Sequence, residues 1–556
     1  MIWKSYLVSL LGLGAVPLVH SQTPYPITGV TVDPRSGGVP LRQNINQLQS
    51  QGGPKWDLYI SALRAMFDRN ASDQLSYFQI SGIHGRPYVE WNGGGSKISN
   101  GWQGYCPHGE NLFLPWHRTY VLLFEQVLVD HARRIAQQYP RRYRNEYLQA
   151  AESLRAPYWD WAADNDVPPA TVPRTIRINV PDGDRLRQVD VDNPLASFQF
   201  PRDALSGNYG SFEAQGKNIT TRCAAPGSYP NDANRNMDRR PYRQWTYDAL
   251  TLSRDFSEFS STGESGISLE QIHNGVHWDA GCGGLFLDAD YSAFDPLFML
   301  HHTNVDRLWA YWQTIHPEHS MFRRTYKGRA RYSTPGGSNI TPRSPLQPFY
   351  QRPGVFHSTE SIASLRNLGY AYEGLEHWAK SQEQMAQDSK RLINRLYAPS
   401  NQAHKRLMAR EEVMTRYFAT IAVNVTEFER PCSVEVYLDG ARVGGLVVMM
   451  QPETGTIYGN LGLDDVVEAQ GMRNLTVEQT IKKIQASLEV EIVKRDGSLV
   501  PLDSVSGLDV GLEDVPVTPP AADDELPRYG AARQRSAGAH ARSHGRNCRC
   551  RKGKTY

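Results

Sequence analysis

Asp295-Pro296-Leu297-Phe298-Met299-Leu300-His301-His302-Thr303-Asn304-Val305-Asp306-Arg307 is the stretch that decides how the rest of the chain is read. Helical periodicity runs over 295–314. Within it His302 has Asp306 one turn further on, a carboxylate able to orient a nearby donor. A second window, Glu270-Gln271-Ile272-His273-Asn274-Gly275-Val276-His277, predicts a helix over 269–277. His273 and His277 project from one face, one turn apart, which is the spacing for two ligands on one metal. Such a pair alone is more often surface chemistry; His302 on a separate helix is what strengthens it.

A third window lies earlier in the chain. It comprises Ile83-His84-Gly85, Cys106-Pro107-His108-Gly109 and Pro115-Trp116-His117-Arg118-Thr119-Tyr120. His117 opens a helix predicted over 115–138, whose continuation Tyr120-Val121-Leu122-Leu123-Phe124 is an apolar stripe that belongs in a core. A histidine there needs a partner for its ring nitrogens, and His84 and His108 can converge on it from loops. Two sets of three histidines result. Imidazole suits zinc, copper, iron and nickel. Structural zinc favours four ligands with cysteines among them, whereas two separate all-imidazole triads favour copper and leave room for dioxygen.

The composition bounds the remainder. At 556 residues the chain holds more than one domain. Hydrophobic residues at 40% against 21% charged allow a sizeable core. Lysine plus arginine (60) nearly equals aspartate plus glutamate (58), which argues against a globally basic nucleic-acid binder. Mean hydropathy of −0.52, with no spanning apolar run after residue 20, argues against a multi-span membrane protein. Six cysteines are too few for a disulfide-stapled scaffold, so the sixteen histidines carry the chemistry.

Residues 1–21 read as a secretory signal, with Lys4 at the start, an apolar run over 6–19 and a small-residue cleavage site at Val19-His20-Ser21. The expected localisation is therefore secreted, and the sequons at Asn70, Asn218, Asn339, Asn424 and Asn474 suggest glycosylated surface loops. Residues 22–385 form a helix-rich catalytic domain, with a further helix over 56–69 and a loop-like stretch over 168–231. Residues 386–414 read as a polar, basic linker whose Lys390-Arg391 and Lys405-Arg406 pairs are candidate processing sites or a solvated helix face. Residues 415–515 read as a β-rich domain. It has an alternating strand over 417–428, hairpins at Asp439-Gly440 and Asp496-Gly497, and one helix over 476–488. Residues 516–556 read as a disordered basic tail containing Cys548-Arg549-Cys550. Cys223, Cys282 and Cys432 remain unassigned; a Cys223–Cys282 bond suits an oxidising compartment, and the spacing does not decide it.

The Pro115 to Tyr120 window and the Asp295 to Asp306 window resemble the two signatures of the tyrosinase family of type-3 copper proteins. The resemblance covers about 41–372 and takes in Pro157-Tyr158-Trp159-Asp160-Trp161 and Tyr370-Ala371-Tyr372. It implies a mainly α fold: a catalytic domain with a central four-helix bundle holding a binuclear copper site, followed by a smaller β-rich C-terminal domain that shields it. It implies two copper ions, CuA on His84, His108 and His117 and CuB on His273, His277 and His302. His301 is no ligand in that pattern and reads as a packed neighbour. Fungal members also imply a thioether between Cys106 and His108.

Glu270 and Asn274 match positions that hold a water thought to accept the phenol proton. Ala289 stands where plant catechol oxidases often carry a bulky phenylalanine, which leaves that face open, and Trp278 can narrow the entrance. Tyr458 is a candidate substrate mimic reaching from the C-terminal domain. The implied activity is ortho-hydroxylation of monophenols and oxidation of o-diphenols to o-quinones with dioxygen, from a latent proenzyme. The alternatives are a catechol oxidase or o-aminophenol oxidase, an oxygen-binding haemocyanin-like protein, and a zinc metalloprotein. Phenols and dioxygen are the expected partners, with no nucleic acid and no membrane. The oligomeric state, the preferred phenol and the purpose, melanin-type pigment or detoxification, stay open.

Overall fold

The computed structural model describes residues 24–399, apart from 34, 36, 211, 214 and 215, and residues 413–537. The expected signal, the Lys405-Arg406 pair and the Cys548-Arg549-Cys550 motif lie outside these residues. Six helices organise the first part: α1 (Gly53–Phe67), α2 (Phe113–Ala136), α3 (Tyr242–Leu252), α4 (Leu269–Gly281), α5 (Leu297–Ile315) and α6 (Gln382–Tyr397). Helix α1 packs on α2, and α2 on α5. Helix α5 is buried without interruption from Leu297 to Trp312. A helix buried on every side belongs inside a bundle rather than on its surface. Helix α4 starts where Ser268 Oγ accepts from the Gln271 amide, a side-chain cap of the usual kind. Helices α2, α4 and α5 carry His117, His273, His277 and His302 between them, and His84 and His108 stand on loops.

Helix α5 is braced from behind by buried charge. Asp306 pairs with Arg42 at 2.9 Å and with Arg118, and accepts from the Tyr370 and Tyr372 hydroxyls at 2.7 Å each. Asp306 therefore does not orient a ligand ring, as its place one turn beyond His302 suggests. It ties α5 to α2 and to the Tyr370-Ala371-Tyr372 segment. The Pro157 to Trp161 segment plays a parallel role, with Asp160 on Arg307 at 3.0 Å and the Trp159 amide on the Leu300 carbonyl at 3.0 Å.

Three expectations change. The loop-like stretch over 168–231 contains an antiparallel hairpin, β1 (Thr175–Asp182) and β2 (Arg185–Asp192). Strand β2 is exposed or half-exposed along its length, so it lacks the buried face that makes strands legible. The linker over 386–414 begins as helix: α6 runs to Tyr397, and Leu392, Ile393 and Tyr397 bury its inner face against α5 and α3. Of the tail over 516–556, the described part, 516–537, is ordered and carries two short strands on the sheet. Arg535 there is held by ion pairs, to Asp514 at 2.8 Å and to Glu478 at 3.0 Å, while Arg528 and Arg533 are exposed.

The C-terminal unit is β-rich, as the alternation predicts. Its strands are β3 (Met414–Asn424), β4 (Cys432–Leu438), β5 (Ala441–Val448), β6 (Thr456–Gly462), β7 (Leu488–Lys494), β8 (Leu499–Val500), β9 (Leu508–Thr518), β10 (Arg528–Tyr529) and β11 (Arg533–Ser536). One sheet has the order β6-β3-β9-β10, with β11 also on β9; the other has β8-β7-β4-β5. Asp439 and Gly440 both take positive φ, 51° and 74°, in the tight turn between β4 and β5. Helix α7 (Val477–Ser487) opens with a Thr476/Gln479 capping box. This unit docks on the helical one through buried ion pairs, Arg240 with Asp279 and Glu435, and Arg416 with Asp248.

Candidate metal centre

The six expected histidines converge in the core, each 7% exposed or less. The rings of His84, His108 and His117 lie 5.3–5.6 Å apart between centroids. His273, His277, His301 and His302 bring one nitrogen each within 4.8 Å of one another, and Cys106 stands in the same relation to His84 and His108. The two groups adjoin, with His117 stacked on His302 at 4.5 Å.

Backbone carbonyls fix the tautomers. Nδ1 of His84 meets the Ala289 carbonyl at 3.0 Å, that of His117 the Phe113 carbonyl at 2.7 Å, and that of His277 the Phe286 carbonyl at 2.7 Å. A carbonyl only accepts, so each Nδ1 donates and each neutral ring turns its Nε2 lone pair inward. His84 Nε2 and His117 Nε2 are buried and unpartnered. His273 Nδ1 meets Asn274 Oδ1 at 2.9 Å, and its Nε2 faces His302 Nε2 at 3.2 Å. Burial pushes His84 down to about 4 and His277 to about 3, and lowers the other four rings as well. Neutral imidazoles aiming lone pairs at a shared space are what a pair of nitrogen-ligated metal ions requires.

Glu270 sits in the first turn of α4. Its Oε1 accepts from the Gly109 amide at 2.7 Å, and Oε2 accepts from the Thr262 amide and hydroxyl at 2.9 and 3.0 Å. Burial pushes this carboxyl up to about 7, against those three donors. Trp278 is half-buried beneath Val447 and Met449 of the C-terminal unit. Ala289 is buried, and its carbonyl already serves His84.

Tyr458 does not approach the histidines. It lies on β6 opposite Ala422, in a cleft lined by Arg254, Glu258, Gly266 and Glu513. Its strand neighbour Gly459 faces Leu446 of β5 and Gln271 of α4, and adjacent strand residues face opposite ways. The segment after β5 approaches instead: a Cβ on Gly109 would meet the Pro452 ring at 2.8 Å. Cys223 and Cys282 are disulfide-bonded. Asn70, Asn218, Asn339 and Asn474 are exposed, while Asn424 is half-buried and accepts from Thr426. The carbonyls of Phe113, Phe286 and Ala289 carry no sequence signal, because any residue supplies one.

The common central domain of tyrosinase matches residues 74–315, a span that holds all six rings. The span 74–315 is thereby a tyrosinase-type central domain. A tyrosinase of Podospora anserina is 35% identical over 383 residues, covering 63% of this chain and 65% of that protein, so the match spans less than two thirds of the relative's length. A recombinant mushroom tyrosinase superposes with a TM-score of 0.79 at 24% identity, covering 92% of this chain and 99% of the other. An apo-protyrosinase of Aspergillus oryzae does so at 0.71 and 22%, covering 92% and 98%. At these identities the two structures speak to fold, and the fold they share includes the β-rich unit. The tyrosinase family binds two copper ions, and the histidine groups here fit such a pair by donor type and tautomer.

Proposed function

We propose that the chain is a copper-dependent phenol oxidase that hydroxylates monophenols at the ortho position and oxidises o-diphenols to o-quinones, made with its site covered. The observation that carries this is the inward convergence of neutral, carbonyl-anchored imidazoles in two adjoining groups. CuA falls to His84, His108 and His117, and CuB to His273, His277 and His302. Copper held there supplies the activation of dioxygen and the two-electron redox chemistry. The protein supplies proton handling and access.

A phenol loses its proton near pH 10 in water, so a nearby base matters. Glu270, poised near neutrality, is that base through a water it shares with Asn274, whose carbonyl is spent on His273. Ala289 keeps one side of the site free of bulk, and Trp278 forms the lip. The C-terminal unit closes that lip with Val447 and Met449 and rests Pro452 on Gly109, beside His108. The fold shared with a protyrosinase supports latency. Cys106, whose sulfur lies within 4.8 Å of a His108 nitrogen, supports a thioether to that ring. The Cys223–Cys282 bond and four exposed sequons support a secreted glycoprotein.

One observation favours a second reading, catechol oxidation without hydroxylation: protein donors already occupy both Glu270 oxygens. Copper stoichiometry with L-tyrosine and L-DOPA turnover, before and after limited proteolysis, decides. Two coppers and turnover of both substrates are expected. DOPA turnover alone supports the second reading. Oxygen binding without turnover supports a haemocyanin-like role, and zinc in place of copper ends the proposal.

A further inference from the structure

Arg329 lies where the His108 loop and the C-terminal unit meet. Its Nε donates to the Gly109 carbonyl at 3.0 Å, its Nη1 to the Thr454 carbonyl and its Nη2 to the Thr456 carbonyl at 3.3 Å. The same Gly109 peptide donates its N–H to Glu270. One peptide unit therefore separates the guanidinium from the carboxyl at the first turn of α4, and Gly109 directly follows His108. The neighbouring acid is already claimed: Glu110 pairs with Arg331 at 2.7 Å and meets Arg329 only through its backbone amide, at 3.3 Å. Among the described residues the Arg329 side chain has carbonyl partners and no ion pair.

A guanidinium fork is shaped for two oxygens of one carboxylate, and neutral carbonyls are weaker partners. Two of the three carbonyls belong to the C-terminal segment and leave with it. The two outer nitrogens then face the space that segment vacates, while Nε stays on the peptide that follows His108.

We propose that Arg329 is the carboxylate anchor of the uncovered site and makes phenols bearing a side-chain carboxylate the preferred substrates. This rests on the phenol-oxidase reading and on a displaceable cover. The ring enters between the histidine groups, and the tail carboxylate takes the fork that Thr454 and Thr456 hold in the covered chain.

The test uses the copper-loaded full-length chain, cut in place with trypsin without separating the fragments. The substrates are 3-(3,4-dihydroxyphenyl)propanoate and its methyl ester, which differ in charge and little in shape. A KM about tenfold lower for the acid is expected from one charge-assisted pair, with the two kcat values close. Arg329→Gln is expected to bring the KM ratio near one, and Arg329→Lys to keep part of it. Added salt is expected to raise the KM of the acid alone. Equal KM values in the wild type, or a ratio that survives in Arg329→Gln, would overturn the inference while leaving the phenol-oxidase reading intact. If Arg329→Gln does not fold, the wild-type ratio and the lysine variant decide. Failure to oxidise either compound with two coppers bound would sink both.

Discussion

Replacing Arg240 with alanine is expected to loosen the C-terminal unit far more than deleting a surface ion pair. The Arg240 side chain is 1% exposed. It donates Nε to Asp279 at 2.6 Å, Nη1 to the Gly445 carbonyl at 2.9 Å and Nη2 to Glu435 at 3.1 Å. Asp279 belongs to α4 in the helical unit, while Glu435 and Gly445 belong to β4 and β5. Without the guanidinium, Glu435 keeps Arg442 and Ser433, but among the described residues the Asp279 carboxylate keeps one hydrogen-bond donor, the Tyr242 hydroxyl, at 2.6 Å. Breaking a buried pair from one side costs about 3–5 kcal/mol, because the other charge is stranded. Arg343–Glu360, with side chains 82% and 41% exposed, is the reference, and exposed pairs are worth under about 1 kcal/mol. Urea unfolding followed by tryptophan fluorescence reads both. With a slope of about 1–3 kcal/mol per molar, Arg240→Ala moves the midpoint by about 1 M or more, and Arg343→Ala by a small fraction of that. Adding Asp279→Asn to Arg240→Ala is expected to recover part of the loss, since the stranded group is then neutral. A midpoint for Arg240→Ala no lower than that for Arg343→Ala would refute the reasoning, and would mean that water enters the interface and solvates Asp279.

Three further outcomes are expected. Burial alone would raise the Asp306 carboxyl, but Arg118 and Arg42 hold it below the usual range. Its stabilisation is therefore complete above the unfolded value of about 3.9 and fades as the pH falls through the folded one. Asp306→Asn costs about 3 kcal/mol at pH 7, and the gap to the wild type, measured by denaturant unfolding, narrows below about pH 4. Cys223 and Cys282 close a loop of 59 residues. Serine at both positions lowers stability by about 2–4 kcal/mol, and reductant lowers the wild-type melting temperature by a matching amount but not the variant's. In the copper-loaded chain the peptide carrying Cys106 and His108 is lighter than its sequence mass by two hydrogens, with the two electrons passing to dioxygen. Cys106→Ser restores the sequence mass, and an unshifted wild-type peptide would exclude the thioether.

The histidine positions were legible because ligand chemistry leaves its mark on side chains. His273 and His277 share a helix face, and His117 and His302 interrupt apolar helices where a lone imidazole has no business. The β-rich unit was legible for a similar reason: Asp439-Gly440 and Asp496-Gly497 demand tight turns between alternating runs. What anchors the rings left no mark. Three Nδ1 atoms end on backbone carbonyls, of Phe113, Phe286 and Ala289, and identity there is set by packing rather than by acceptor strength. The Asp306 carboxylate misled because helical spacing gives the direction of a side chain but not the depth of its neighbours. Arg42 and Arg118 lie 264 and 188 residues away in the chain, and they claim it first.

The covering segment shows the same limit at the scale of a strand. An aromatic residue followed by glycine at Tyr458-Gly459 looks like a probe offered to a phenol site, yet β-strand alternation makes that pair a question of register. Gly459 packs against Leu446 of β5 and Gln271 of α4, and Tyr458, on the opposite face of β6, lies in the cleft with Arg254 and Glu258 of the helical unit. Contact with the His108 loop falls to the irregular segment before β6, where Pro452 rests on Gly109 and the carbonyls of Thr454 and Thr456 take Arg329. A cover held by backbone carbonyls on one arginine depends little on its own side chains there. At that segment the contact is made by Arg329 and Gly109 on the helical side, while the unit as a whole is held by the Arg240 and Arg416 pairs.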